Sequence, residues 1–197
     1  MHNIYTTEGF ILKSANFGEA NKYFFIFTKE FGLIKAAAQS VRQLKSKLRY
    51  GLTDYSLVEV SVVRGREIWR LTSALEKFSL EISNKEGNSE KFLLLSRIFS
   101  LLLRLLHGEE KNDLLFDSVK EGMIFLKKEE LKQEDLVNFE CILALRILSA
   151  LGYIGKMTDF DQFTLSPYFT QELLTAMSTL KTRAILEINK SLKETHL

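Results

Sequence analysis

Thr7-Glu8-Gly9-Phe10-Ile11-Leu12-Lys13-Ser14, with Tyr23-Phe24-Phe25-Ile26-Phe27-Thr28 a short way on, decides how this chain begins to fold. Phe10–Leu12 and Tyr23–Thr28 are short runs of aromatic and branched residues, the types that suit a pleated, half-buried surface. Asn16 and Gly18 separate them, as strand-ending residues do. Phe31-Gly32 makes a turn into a third run, Leu33–Ala38. In Leu57–Val63 the alternation of a strand puts Val58, Val60 and Val62 on one face and Leu57, Glu59, Ser61 and Val63 on the other. Arg64-Gly65-Arg66 follows, and Glu67–Thr72 returns as a hairpin partner with Trp69 and Leu71 on one side. Trp69 and Phe24 are expected in the core. Five short strands with one irregular basic connection after the third suit a small twisted barrel, whose closure removes exposed edges.

Beyond Asn84–Asn88, a polar linker containing Gly87, the period lengthens from that of a strand to that of a helix. Phe92–Leu106 is apolar but for Ser96, Arg97, Ser100 and Arg104, with positions 97, 100 and 104 forming one narrow stripe. So apolar a helix is expected at the centre of a bundle. Leu114–Leu126 and Leu136–Leu151 read as further helices, the latter stopped by Gly152. Ser166-Pro167 reads as a helix start, serine capping and proline in the first turn, for a helix to about Leu180. Thr182–Glu194 forms a last helix, set off by a kink. The expectation is an α+β chain: a barrel domain over residues 1–80, then an all-helical domain over 81–197.

Composition excludes more than it selects. Hydrophobic content of 46% with 26% charged residues marks a folded protein. The net charge is +2, but residues 1–78 hold 12 Lys and Arg against 7 Asp and Glu, leaving 15 against 18 in the remainder. A basic first part beside a mildly acidic second part suggests one module facing a polyanion. The single cysteine, Cys141, rules out an internal disulfide and lies in an apolar helical run, which reads as an inert buried thiol. His2, His107 and His196 have no ligand-spaced partners, so no zinc site is expected. Neither a Gly-x-Ser-x-Gly elbow nor a glycine-rich phosphate loop occurs. Asp159 with Asp161, and Glu109 with Glu110, read as solvated acids. The chain is therefore expected to have no catalytic group and no cofactor. No basic-then-apolar leader follows Met1, and Phe92–Leu106 is too short and too charged to span a bilayer. A cytoplasmic location, with no membrane contact, is expected.

Arg42, Lys45, Lys47 and Arg49 stand within eight positions, in a stretch with no acid between Glu30 and Asp54, and Tyr50 and Tyr55 follow. Flexible cations neutralise phosphates, and nearby rings stack on bases. A solvated loop is the plainer reading of a charge run, but a place between the strands of a small barrel favours the former. Arg64, Arg66 and Arg70 add a second basic group on the last hairpin.

Together these features resemble one family, the bacterial recombination mediator RecO. The resemblance rests on Thr7-Glu8-Gly9 with Ile11-Leu12-Lys13, Phe17-Gly18-Glu19-Ala20, Phe27-Thr28, Phe31-Gly32 and the Arg42–Arg49 loop. It continues in Ser56-Leu57-Val58-Glu59, Arg64-Gly65-Arg66 and Trp69-Arg70-Leu71, then in Phe139-Glu140, Leu145, Leu148, Leu151 and Gly152-Tyr153. It covers about residues 6–76 and 139–153. It implies an OB-fold followed by a helical domain, binding single- and double-stranded DNA and annealing complementary strands. It also implies partnership with RecR and with the C-terminal tail of single-stranded DNA-binding protein (SSB), so that RecA is loaded in gap repair at the nucleoid. The DNA-binding residues expected are Lys35, Arg42, Lys45, Lys47, Arg49, Arg64, Arg66 and Arg70. An SSB tail requires an apolar pocket beside a cation, for which Lys127, Lys128 and Arg146 stand as alternatives. Many relatives carry a four-cysteine zinc module after the Gly-Tyr step; this chain has Met157-Thr158-Asp159-Phe160-Asp161-Gln162-Phe163 there, so the zinc module is taken as absent. Two readings from other classes differ testably. A protein-docking adaptor with a merely solvated loop binds no DNA at low salt, and a hydrolase using Asp159 and Asp161 turns over only with a divalent ion.

Overall fold

The computed structural model describes residues 3–80, 88–155 and 158–194. Residues 84–87 of the expected linker, His2, Met157 and His196 lie outside them. The chain forms two compact units: Met1–Glu81 with Leu106–Lys111, and Ile82–Leu105 with Asn112–Leu197.

The first unit is built on β1 (Ile4–Phe17), β2 (Asn21–Thr28), β3 (Gly32–Ala38), β4 (Leu57–Arg64) and β5 (Trp69–Phe78). They close into a barrel in the order β1-β2-β3-β5-β4, with β1 pairing back onto β4. All neighbours are antiparallel except β3 and β5, which meet in parallel at Ala36↔Trp69 and Ala37↔Arg70. This is the five-stranded Greek-key barrel of the OB-fold. At 14 residues, β1 is far longer than the Phe10–Leu12 run because one strand serves two partners. Its first half, Ile4–Phe10, pairs with β4, and Gly9–Phe17 pairs with β2. A bulge between Ile11 and Lys13 bends it from one to the other. Inside lie Ile11, Phe24, Ile26, Ile34, Val58, Val60, Val62, Trp69 and Leu71, as the alternation requires. Val41 and Leu52, from the connection after β3, belong to the same cluster.

Leu106–Lys111, read from sequence as part of the helical domain, groups with the barrel through specific bonds. Leu33 N–H donates to the Gly108 carbonyl at 3.1 Å, and Lys111 Nζ lies 3.3 Å from Glu30. Gly32 turns β2 into β3 at φ +65°, and a Cβ there would collide with the Glu110 backbone. Glycine is required twice over at this position.

The second unit comprises α1 (Asn88–Leu105), α2 (Asp113–Lys128), α3 (Gln133–Ala150), α4 (Asp161–Thr164) and α5 (Gln171–Glu194). Asn112 caps α2, its side chain accepting from Leu115 N–H at 3.0 Å. The central helix is α3, which packs against α1, α2, α4 and α5 and is buried around its circumference from Leu136 to Leu148. The expected centre, α1, is one-sided: Leu94, Leu95, Ile98, Phe99 and Leu102 are buried, while Leu93, Arg97, Ser100 and Arg104 face outward. Composition overstated its burial because Leu93 faces outward and Leu101 and Leu103 are only half covered. Arg97 grips Glu140 of α3 with two bonds of 2.6 Å, which raise the guanidinium pKa above its ordinary value.

The helix start expected at Ser166-Pro167 falls instead at Gln171. Residues 165–170 are held out of the helix by Arg146, which is 2% exposed. Its guanidinium donates to the carbonyls of Phe163 (2.6 Å), Pro167 (2.7 Å) and Tyr168 (2.8 Å), so the chain must wrap around one side chain. Thr170 then serves as the cap, its hydroxyl accepting from Leu173 N–H at 3.2 Å. No break separates Leu180 from Thr182, where neither glycine nor proline interrupts the helix.

Candidate nucleic-acid interface

The connection between β3 and β4 carries the basic run, and both of its ends are fixed. Ser40 N–H donates to Asn21 Oδ1 at 2.8 Å, and Arg42 N–H to the Ala20 carbonyl at 3.0 Å. Val41 and Leu52, 4% and 8% exposed, plug the end of the barrel. A short 3-10 segment, Lys47–Gly51, leads back to β4, and Gly51 lies so close to the Ala74 backbone that a Cβ would collide with it. Between these anchors Lys45, Lys47, Leu44 and Tyr50 are exposed to solvent.

The expected cations fall into four places. Arg42 and Arg49 line one depression at the barrel end, together with Lys22 at the start of β2. Arg64, Arg66 and Arg70 line a second depression with Ala37, Gln39 and one acid, Glu67. The segment from Ala37 to Arg42 therefore runs from one basic depression to the other. Lys45 and Lys47 line neither and stand on the exposed arch of the loop. Lys35 points outward from β3, its Nζ 4.5 Å from the centre of the Tyr23 ring. Sequence reasoning missed Lys22, because only the β2–β3 register and the return of the loop bring it to Arg42 and Arg49.

Two of these cations are already engaged within the barrel unit. Arg64 lies 3.2 Å from Glu109, and its guanidinium carbon is 5.4 Å from the centre of the Trp69 ring. Arg42 Nη1 donates to the Gly18 carbonyl at 3.3 Å, which orients its charge over the β1–β2 turn.

In the helical unit, Lys128 lines a pocket with Ile124, Phe125, Tyr168 and Phe169, and Glu121, Glu129 and Glu172 stand at the same pocket. Arg146 is 2% exposed and so out of reach of an outside carboxylate: each of its three nitrogens donates to a carbonyl, it stacks 4.1 Å from the Phe169 ring, and burial pulls its pKa down to about 10. Cys141 is buried, and burial, with the charge of Glu140 second, pushes its thiol pKa up, which disfavours the reactive thiolate. Asp159 pairs with Arg183. Among the described residues no three His, Cys, Asp or Glu are grouped to hold a metal ion, and no helix is long and apolar enough to cross a membrane.

Residues 1–77 match the family described as "Recombination protein O N terminal". Over these residues the chain is similar to the N-terminal part of the RecO family. It is 28% identical over 134 residues to the DNA repair protein RecO of Alkaliphilus metalliredigens, covering 66% of this chain and 52% of the relative. With the DNA repair protein RecO of Thermodesulfovibrio yellowstonii it shares 28% over 151 residues, or 76% of this chain and 58% of the relative. The protein of the same name from Rubrobacter xylanophilus is 31% identical over 71 residues, 36% of this chain and 29% of the relative. The chain thus spans a little over half the length of the first two.

Proposed function

We propose that this chain is a non-catalytic DNA-repair protein that binds single- and double-stranded DNA through its barrel. In this reading it anneals complementary strands and, with RecR, assists the loading of RecA on SSB-coated DNA. The observation that carries it is the pair of basic depressions joined by residues 37–42, with Lys22, Arg42 and Arg49 in one and Arg64, Arg66 and Arg70 in the other. Neighbouring cationic grooves can hold two phosphate backbones close together, and the exposed arch of Lys45 and Lys47 supplies further flexible charge. The work required is electrostatic and positional, and no general acid, base or nucleophile is called on.

For the SSB tail, Lys128 is the best placed of the three alternatives, because it borders an apolar wall of Ile124, Phe125 and Phe169. The carboxylates of Glu121, Glu129 and Glu172 around it make this dock selective, favouring a partner that leads with apolar side chains over one that is acidic throughout.

The test is annealing of SSB-coated complementary oligonucleotides, with and without the protein, across a salt series, alongside direct binding to a single strand. Engagement of about four phosphates gives a log–log salt slope near −3. Acceleration that fades with salt is the expected result. Salt-independent binding, or no acceleration by folded protein, sinks this reading and leaves a protein-docking adaptor.

A further inference from the structure

The depression that Lys22 shares with Arg42 and Arg49 differs in kind from the one at the hairpin. Along β2 the side chains of Lys22, Phe24 and Ile26 fall on one side, and Phe24 and Ile26 fill the core. Half-buried Lys22 therefore occupies the inward register at the mouth of the barrel, where its charge has only the opening to face. Its cross-strand partner on β3, Ala38, is small and fully buried and leaves that opening clear. Phe24, Val41 and Leu52 floor the depression, so it is blind on the barrel side, with a volume of about 250 Å³.

The walls are held in place before any ligand arrives. Ser40 adopts a left-handed backbone at φ +53°, uncommon for a residue with a side chain, and Asn21 Oδ1 accepts its N–H. That turn sends Val41 into the barrel end and Arg42 across the β1–β2 turn, where the Gly18 carbonyl accepts from Nη1. On the other wall, Arg49 belongs to the 3-10 segment that ends with Gly51 pressed against Ala74. None of the three cations makes an ion pair among the described residues. No acid lines the depression: Glu19 lies in the β1–β2 turn, and Asp54 accepts from the Ser14 hydroxyl at 3.1 Å. The hairpin depression, by contrast, includes Glu67, and Glu109 holds its Arg64.

The uncompensated cations around this blind hollow exceed what a passing phosphodiester, with its single charge, neutralises. A phosphomonoester carries about −1.5 to −2 at neutral pH and presents three acceptor oxygens. At about 250 Å³ the hollow is smaller than the roughly 300 Å³ at which pockets for drug-sized ligands begin. It admits a phosphate and its sugar rather than a run of strand. We infer that Lys22, Arg42 and Arg49 form a pocket for a terminal phosphate, the phosphomonoester of a DNA end or of a free nucleotide, with its sugar on the apolar floor. This inference rests on the reading of the barrel as a nucleic-acid-binding unit and refines it: of two strands held side by side, one is gripped by its end.

The experiment measures binding of the full chain to an oligothymidylate bearing a 5′-phosphate, a 3′-phosphate or hydroxyls at both ends, at one salt concentration. A hydroxyl-ended strand one nucleotide longer controls for the added charge. A phosphorylated end is expected to tighten binding about tenfold over that control, the scale of charge-assisted hydrogen bonds to a dianion. Lys22→Ala, and separately Arg49→Ala, bring the ratio of the two affinities close to one. Lys45→Ala with Lys47→Ala lowers both affinities and leaves the ratio, since those cations stand outside the hollow. Trp69 emission reports that the barrel is intact, and either single variant suffices if the other does not fold. Thymidine 5′-monophosphate, added as competitor, separates the two sources. Loss of the preference with up to millimolar competitor identifies a free nucleotide as the ligand, and a preference that survives it identifies the strand end. Equal binding of the phosphorylated strands and their control by the parent, or an unchanged ratio in a folded Lys22→Ala or Arg49→Ala protein, overturns the pocket alone. Failure of the parent to bind any of the strands at low salt overturns the DNA-binding reading itself.

Discussion

Trp69 Nε1 donates to Glu109 Oε1 at 2.8 Å, and the second oxygen of that carboxylate lies 3.2 Å from Arg64. One acid thus orients the single tryptophan of the chain and holds down one cation of the hairpin depression. Glu109→Gln keeps an oxygen for the indole but removes the charge, freeing Arg64. The expected outcome is tighter single-strand binding at low salt, with the log–log slope steeper by about 0.7, one phosphate's worth. Glu109→Ala instead loses the indole bond, costing about 1 kcal/mol and shifting Trp69 emission. An unchanged salt slope in the Gln variant means that Arg64 lies outside the DNA path.

The basic loop behaves differently because Lys45, Lys47 and Arg49 hold nothing else in place that their loss would release. Lys45→Glu, Lys47→Glu and Arg49→Glu combined are expected to abolish measurable single-strand binding at moderate salt. Trp69 emission and thermal unfolding stay as in the parent. Neutral glutamines at the same three positions flatten the salt slope by about 2. Arg42 is another matter: its Nη1 ties the loop to the Gly18 carbonyl, so Arg42→Ala combines loss of charge with loss of loop order. Parental affinity in the charge-reversed protein removes the loop from the interface.

What could be read in advance follows from the range of the forces involved. The inward set Val58, Val60 and Val62 was legible because strand alternation is local and repeats every second residue. The extent of β1 was not, since Lys13, Ser14 and Asn16 join a strand only because β2 lies beside them. The misplaced start of α5 has the same origin. Ser166-Pro167 carries every local mark of a helix start, but Arg146, some twenty residues earlier, binds three carbonyls that a helix would turn elsewhere. At the site, the charges of the loop and hairpin were visible as a run, whereas Lys22 and the Glu109 clamp depend on register and on the return of residues 106–111.

Arg146 sets the stability of the helical unit. Arg146→Ala strands three carbonyls that its fork satisfied, a loss of about 3 kcal/mol or more. Arg146→Lys recovers part, because an ammonium group cannot match three divergent acceptors as a planar fork does. Far-UV circular dichroism follows this transition, while Trp69 reads the barrel separately. Burial lowers the folded pKa to about 10, below the ordinary guanidinium range, so at physiological pH the guanidinium is charged in both folded and unfolded states. The loss in either variant is therefore the same at about pH 6 and about pH 8. A lysine variant as stable as the parent contradicts the account of why residues 165–170 leave the helix.

Thr170 and Glu172 carry a smaller, pH-dependent contribution at the start of α5. Thr170 Oγ1 accepts from Leu173 N–H at 3.2 Å, and Glu172 occupies the first turn, where a negative charge meets unpaired N–H groups. Its own backbone N–H, and second the Thr170 hydroxyl, hold its carboxyl below the ordinary 4.5. A carboxylate depressed in the folded state stabilises it fully above the unfolded value and ceases to do so as pH falls through the folded value. The window is thus the acid side of 4.5. Thr170→Ala is expected to cost about 1 kcal/mol at neutral pH through the lost cap. It also raises the Glu172 pKa toward 4.5 without reaching it, because the backbone bond survives. Side-chain carboxyl chemical shifts across a pH titration measure the second effect independently of the first. A Glu172 titration that does not move in Thr170→Ala assigns the whole depression to the backbone and leaves Thr170 with the cap alone.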